Sequence, residues 1–113
     1  MNYSNIPRQA EVNLIDALER WYASMCNGDW EHTYGVYIGN IDNPGWSLKV
    51  ELIDTPLFNV FFEEIKIQRE IENDWVICKV ESGIFQGFGG PKNLNELLRI
   101  FLDWSTKYPV PTD

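Results

Sequence analysis

Several side chains that could do chemistry lie in one short segment, between Cys26 and His32. They are the Cys26 thiol, the carboxylates of Asp29 and Glu31, and the only imidazole of the chain, that of His32. Such groups ligate metals, yet a structural zinc site needs about four well-spaced soft ligands. This segment supplies one cysteine and one histidine, so we predict no metal site and no cofactor.

Cys26 and His32 could instead form a nucleophile and base pair. Such a pair needs a third group that orients the base and a pocket that stabilises the oxyanion. Neither can be identified in the sequence. We therefore predict that the protein is not an enzyme, and a hydrolase built on these two residues is the weakest of three functional hypotheses.

Two structural elements must hold this segment in place. An amphipathic helix is expected to end at residues 27–28, an Asn-Gly pair that tolerates positive φ at a helix C-terminus. Alternation from about His32 to Ile41 predicts a strand, and a second alternating strand follows over residues 46–53. The Asp-Asn-Pro-Gly turn, residues 42–45, would join them as a hairpin in which Gly45 supplies a conformation that other residues avoid.

Apolar residues at helical spacing predict a first helix near residues 11–26 and a second near residues 93–106. Asn13 is expected to cap the first helix, and Asn93 the second with Glu96 as its reciprocal partner. The stripe of the first helix is interpreted as core and consists of Leu14, Ile15, Leu18, Trp21, Tyr22 and Met25.

Further strands are predicted at about residues 63–70, 75–81 and 84–88, and apolar groups on both faces mark the second of these as central. The fold class is therefore α+β: a meandering antiparallel sheet of four to five strands, with the N-terminal and C-terminal helices packed on one face. The chain ends, residues 1–9 and 108–111, are expected to be extended. The core contacts expected beneath the helices are Leu18 and Trp21 with Leu98 and Phe101, over Leu48, Val50 and Ile65.

Charge narrows the choice of partner. The 113-residue chain has 17 acidic and 9 basic residues and a formal net charge of −8. This charge repels a phosphate backbone and argues against nucleic-acid binding, whereas it favours encounter with a basic protein. The length suits one domain, residues 1–113.

The distribution of apolar residues predicts the cellular compartment, and the compartment in turn predicts the state of the two cysteines. No signal-peptide pattern opens the chain, and no apolar run approaches the ~18 residues that a membrane span requires. We therefore expect a cytoplasmic protein without membrane association. In that compartment Cys26 and Cys78 would be free thiols.

Several of these segments together resemble the immunity protein 53 family. The resemblance runs from about Leu14 to Trp104, and its most specific parts are Gly-Asp-Trp-Glu-His and Asp-Asn-Pro-Gly-Trp at this separation. Met25 stands where a polar residue, often glutamine, is expected, and Asn27 where aspartate is usual. The segments that carry the resemblance are residues 21–22, 26–35, 41–46, 62–65, 73–75 and 89–94.

The resemblance implies an immunity protein of a bacterial polymorphic-toxin system. Such a protein binds a cognate toxin domain in the cytoplasm and blocks it without doing chemistry. Net charge suggests that the toxin is basic, and nucleases are one class that fits, because a surface that binds phosphates is basic.

The predicted toxin-binding surface centres on carboxylates beside an aromatic side chain. Trp30 is expected to be partly exposed there, because acidic residues flank it. The second functional hypothesis is a small-molecule or carbohydrate-binding module that uses exposed tryptophans, with a pocket at Trp30 and Trp46. The predicted toxin-binding residues are Asp29, Trp30, Glu31, Asp42 and Asn43.

Overall fold

A computed structural model describes residues 13–109; the predicted extended segment 1–9, the predicted helix start at residue 11 and the end of the predicted tail lie outside that range. A five-stranded antiparallel sheet with a helix near each end of the described chain confirms the α+β class. In chain order the elements are α1 (Leu14–Met25), α2 (Trp30–Thr33), β1 (Val36–Ile41), β2 (Gly45–Glu51), β3 (Ile65–Gln68), β4 (Trp75–Glu81), β5 (Ile84–Gly89) and α3 (Leu94–Thr106).

The N-terminal helix begins and ends largely where its capping residues predict. The Asn13 side chain accepts a hydrogen bond from the Asp16 backbone N–H at 2.9 Å, as expected of an N-cap. The helix ends at Met25 with Cys26 as its C-cap, and Gly28 has φ +94°. Asparagine at position 27 then accepts from the N–H groups of Asp29 and Trp30, which starts the short helix α2. The first strand therefore begins at Val36 rather than near residue 32.

The strand order in the sheet is β1-β2-β5-β4-β3, with every neighbouring pair antiparallel. The predicted meander is wrong, because β2 pairs with β5 instead of β3. Residues 52–64 carry the chain to the far edge of the sheet, and Leu57 anchors this crossing in the core. β4 lies between β5 and β3, which confirms that it is not an edge strand.

Both long helices pack on one face of the sheet, as predicted. Leu48 and Val50 of β2 and Phe85 of β5 are completely buried beneath them. The rings of Trp21 and Phe101 meet edge to face, with centroids 5.0 Å apart. On β4 the side chains buried beneath the helices are Val76 and Cys78, whereas Trp75 and Ile77 on the other face are half-buried.

A close approach of backbones explains the glycine that follows the hairpin turn. The expectation that Gly45 adopts an unusual conformation is wrong, since the positive-φ glycines in the described chain are Gly28 and Gly83. A Cβ at Gly45 would instead collide with the carbonyl oxygen of Gly89. Glycine is needed here for space. The Asn43–Pro44 peptide bond in this turn is cis.

Arg69 ties the β3–β4 turn to the start of α3. Its guanidinium donates to Asp74 Oδ1 at 2.9 Å and to both carboxylate oxygens of Glu96, at 3.0 and 2.6 Å. Asn93 holds the N-cap position of α3, but its side chain makes no capping hydrogen bond and donates to Asp74 and Glu96 instead. The predicted reciprocal cap is wrong, because Glu96 pairs with Arg69.

The buried surface of α3 gives a stability prediction. Leu98 is completely buried against the sheet, so Leu98→Ala should lower the free energy of unfolding by ~2–5 kcal/mol, through lost transfer energy and the cavity left behind. Urea denaturation measures this change. The exposed neighbour variant Asn95→Ala is the control and should stay within about 0.5 kcal/mol of wild type. A small loss in Leu98→Ala would contradict the packing described.

The Arg69 network predicts a pH-dependent contribution. The Asn93 amide and then Arg69 lower the pKa of Asp74, and Arg69 is the main cause that lowers the pKa of Glu96. Their pairing therefore stabilises the fold above the ordinary values of 3.8 and 4.5 and is lost as pH falls through the lower folded values. Arg69→Gln should be less stable than wild type above about pH 5, and the deficit should shrink in acid.

Thermal or urea unfolding at a series of pH values measures that deficit. Arg99→Gln is the matched control. Arg99 is exposed on α3, the helix that carries Glu96, and it makes no salt bridge among residues 13–109. A deficit of Arg69→Gln that stayed constant down to pH 3 would show that the charges do not cause it.

Candidate protein-binding surface

Glu31 supports the turn between α1 and α2. Its two carboxylate oxygens accept hydrogen bonds from the backbone N–H groups of Asn27 and Gly28, at 2.9 and 2.8 Å. Its own backbone N–H and then these two groups lower the pKa of this carboxyl. Glu31 therefore holds the loop that precedes α2, and its charge is already engaged by the chain itself.

Trp30 is not exposed, and the expectation that it is partly exposed is wrong. Only 2% of its surface is accessible, and its indole N–H donates to the Ile53 carbonyl at 3.0 Å. The ring also meets Trp21 edge to face, with centroids 6.1 Å apart. The helical turn of α2 directs this side chain inward between its two acidic neighbours, so Trp30 cannot contact a partner in this conformation.

The predicted acidic surface is divided by the length of a strand. Asp29 lies before α2, whereas Asp42 and Asn43 form the turn after β1, and all three are exposed. Residues 30–41 separate Asp29 from Asp42, and they comprise α2, a short connection and the strand β1, which alone is roughly 20 Å long at about 3.3 Å per residue. The predicted residues therefore do not form one continuous segment, and their part in toxin binding stays a prediction.

The thiols take part in packing. Both cysteines are free in the structure, which confirms the prediction that they are not bridged. Cys26 Sγ donates to the Tyr22 carbonyl at 3.3 Å, and burial raises the pKa of Cys78 to about 12. Within residues 13–109 no three His, Cys, Asp or Glu side chains are grouped to hold a metal.

The tryptophans do not form the surface that the carbohydrate-binding hypothesis requires. None of the five tryptophans, all of which lie within residues 13–109, is among the exposed apolar side chains. The indole N–H of Trp46 donates to the Pro91 carbonyl at 2.9 Å, and that of Trp104 to the Phe61 carbonyl at 3.1 Å. The predicted exposure of tryptophan is therefore wrong.

An apolar groove lies instead between α1 and β1. The groove has a volume of about 480 Å³. We call it the α1–β1 groove and define it by its lining: Ile15, Leu18, Glu19 and Tyr22 of α1, and residues 34–38. Four of these side chains remain exposed, namely Ile15 at 51%, Tyr22 at 39%, Tyr37 at 55% and Ile38 at 42%.

Two of those exposed residues correct the core prediction for α1. The helical stripe placed Ile15 and Tyr22 inside, yet the sheet does not extend under that side of the helix beyond β1. Periodicity reports that a residue is apolar on one helix face, but the width of the layer beneath decides whether it is covered. The sequence did hold a signal for this exposure. The apolar stripe of α1 is wider than a single neighbouring strand can cover.

One carboxylate lines the α1–β1 groove, and two others lie near its tyrosines. Glu19 lies on its helical wall. A hydrogen bond that its hydroxyl donates to Glu51 raises the pKa of Tyr37, and a hydrogen bond donated to the Cys26 sulfur, with a smaller effect of the Glu31 charge, raises that of Tyr22. An apolar, aromatic centre surrounded by negative charge suits a protein partner that presents apolar and basic side chains.

No helix in the described residues is long and apolar enough to cross a membrane. Together, the two-layer fold and the open groove define a small α+β protein equipped for binding.

Residues 15–106 match the model of the family described as immunity protein 53, so this chain belongs to that family. No curated protein and no solved structure matches the chain.

Proposed function

We propose that this protein binds a cognate toxin domain in the cytoplasm and neutralises it by covering a functional surface, without catalysing a reaction. The observation that carries the proposal is membership of the immunity protein 53 family over residues 15–106. The polymorphic-toxin context and the cytoplasmic site of action are part of the proposal.

The α1–β1 groove is the contact surface that we propose. Binding energy at interfaces comes mainly from a few apolar and aromatic anchors that lose water on association. Ile15 and Tyr22 of α1 and Tyr37 and Ile38 of β1 line this groove and remain exposed. These four side chains would supply the anchors.

The partner is proposed to be basic. A net charge of −8 would accelerate its approach, and the exposed residues Asp29, before α2, and Asp42 and Asn43, after β1, would contribute to the contact. A nuclease is a toxin class that meets this condition, because its substrate site attracts phosphates. Trp30 has no place in this surface, and Glu31 supports it from within the turn.

Binding itself is the first test. The probe is the purified toxin domain encoded by the gene beside that of this chain, in an inactive form, and calorimetry measures its affinity. Tyr37→Ala should weaken binding roughly thirtyfold, since truncating an interface anchor costs about 2 kcal/mol or more. Phe61→Ala is the matched control, because Phe61 is 80% exposed outside the groove.

Two results would count against this proposal. Absence of binding by the folded wild-type protein would overturn the toxin-neutralising function. Equal losses in Tyr37→Ala and Phe61→Ala, or a loss in the control alone, would place the contact surface away from the groove.

Salt dependence is the second test. The double variant Asp29→Asn, Asp42→Asn should associate with the toxin more slowly than wild type at low salt. The rates should converge at about 1 M salt, where the screening length is roughly 3 Å. Stopped-flow fluorescence measures the rates. Neutralising two exposed carboxylates elsewhere, in the control Glu70→Gln, Asp103→Asn, should slow association less. Identical rates for both double variants would contradict local steering.

A further inference from the structure

The two edge strands of the sheet, β1 and β3, differ in how well they are protected from pairing with a further strand. β3 is four residues long and carries a lysine, Lys66. β1 is six residues long, reads Val-Tyr-Ile-Gly-Asn-Ile and carries no charge and no proline. Proteins protect free edges with short strands, lysine and proline, because unpaired backbone groups recruit further strands. β1 has none of these protections.

The register shows which backbone groups of β1 are free. Glu51 N–H donates to the Gly35 carbonyl at 3.1 Å, and residues in this ladder then alternate between bonding to β2 and pointing away from it. Tyr37, Gly39 and Ile41 therefore bond to β2. The N–H and C=O groups of the remaining strand residues point out of the sheet and have no hydrogen-bond partner among residues 13–109; these residues are Val36, Ile38 and Asn40.

Charge around this edge selects a basic partner over a second copy of the chain. Glu19 lies in the adjoining groove, Asp42 follows the strand directly, and Asp29 precedes α2, the helix before the strand. Lys49, which pairs with Tyr37, is the one cation on the neighbouring strand β2. Two such edges facing each other would bring these carboxylates together, which is unfavourable.

We propose that an extended, basic segment of the toxin adds to the free edge of β1 as a sixth strand, with its apolar side chains in the α1–β1 groove. Strand addition of this kind takes affinity from main-chain hydrogen bonds and specificity from pockets for alternate side chains. The inference rests on the proposed function, since it names how the same partner is held.

Residue-resolved hydrogen exchange tests the pairing directly. In the free protein, the amides of Val36, Ile38 and Asn40 should exchange fast, while those of Tyr37, Gly39 and Ile41 should exchange slowly. Saturation with the inactive toxin domain should protect the outward amides and leave the inward amides, the internal control, slow. Calorimetry on the same samples establishes that the toxin is bound.

Ile38→Pro provides a second measurement. Proline removes an outward N–H and leaves the β2 ladder intact, as edge strands tolerate. Toxin affinity should fall at least about tenfold, because a carbonyl of the toxin segment loses its donor. Ile38→Thr is the matched control: it changes the side chain but keeps the N–H, and its loss should be smaller.

Each outcome decides a different claim. Fast exchange of the outward amides in a saturated complex overturns strand addition and leaves the proposed function standing. No binding by wild type overturns the proposed function. Protection of these amides already in the free protein also overturns strand addition by the toxin; concentration dependence then separates a second copy from residues 1–12 as the occupant.

Discussion

The pairing of β2 with β5 is the contact on which the rest of the structure depends. It joins the N-terminal hairpin to the three C-terminal strands within the sheet, and α3 packs across the junction on β2 and β5. Phe85, Gly87 and Gly89 of β5 present a buried surface to α3, and a Cβ at Gly87 would press against Leu97. The central strand β5 therefore determines both the order of the strands and the position at which α3 packs on the sheet.

That order has a consequence for function. Because β5 takes the centre, β1 is left at an edge, and α1 contacts α3 on one side and leaves the α1–β1 groove on the other. The opposite edge is short and is tied to α3 through Arg69 and Glu96. One edge of the sheet is thus protected, and the other offers backbone groups beside exposed tyrosines.

Local features were predictable from sequence, and long-range ones were not. The Asn13 cap, the end of α1 and the β1–β2 hairpin depend on residues a few positions apart, so their patterns were informative. Trp30 was misplaced because its burial depends on a carbonyl 23 residues away, at Ile53. Pairing of β2 with β5 leaves no local signal either. Consequently the motif that identified the family lay close to the groove, but the groove itself could not be predicted.

The central claim is that this immunity protein uses the edge of β1 to hold its toxin. A crystal structure of the complex with the inactive toxin domain tests it most directly. The account predicts one continuous sheet in which a toxin strand pairs with Val36, Ile38 and Asn40, and toxin basic residues lie near Asp29 or Asp42. A complex in which the toxin binds another face and the edge of β1 stays open to solvent would contradict it.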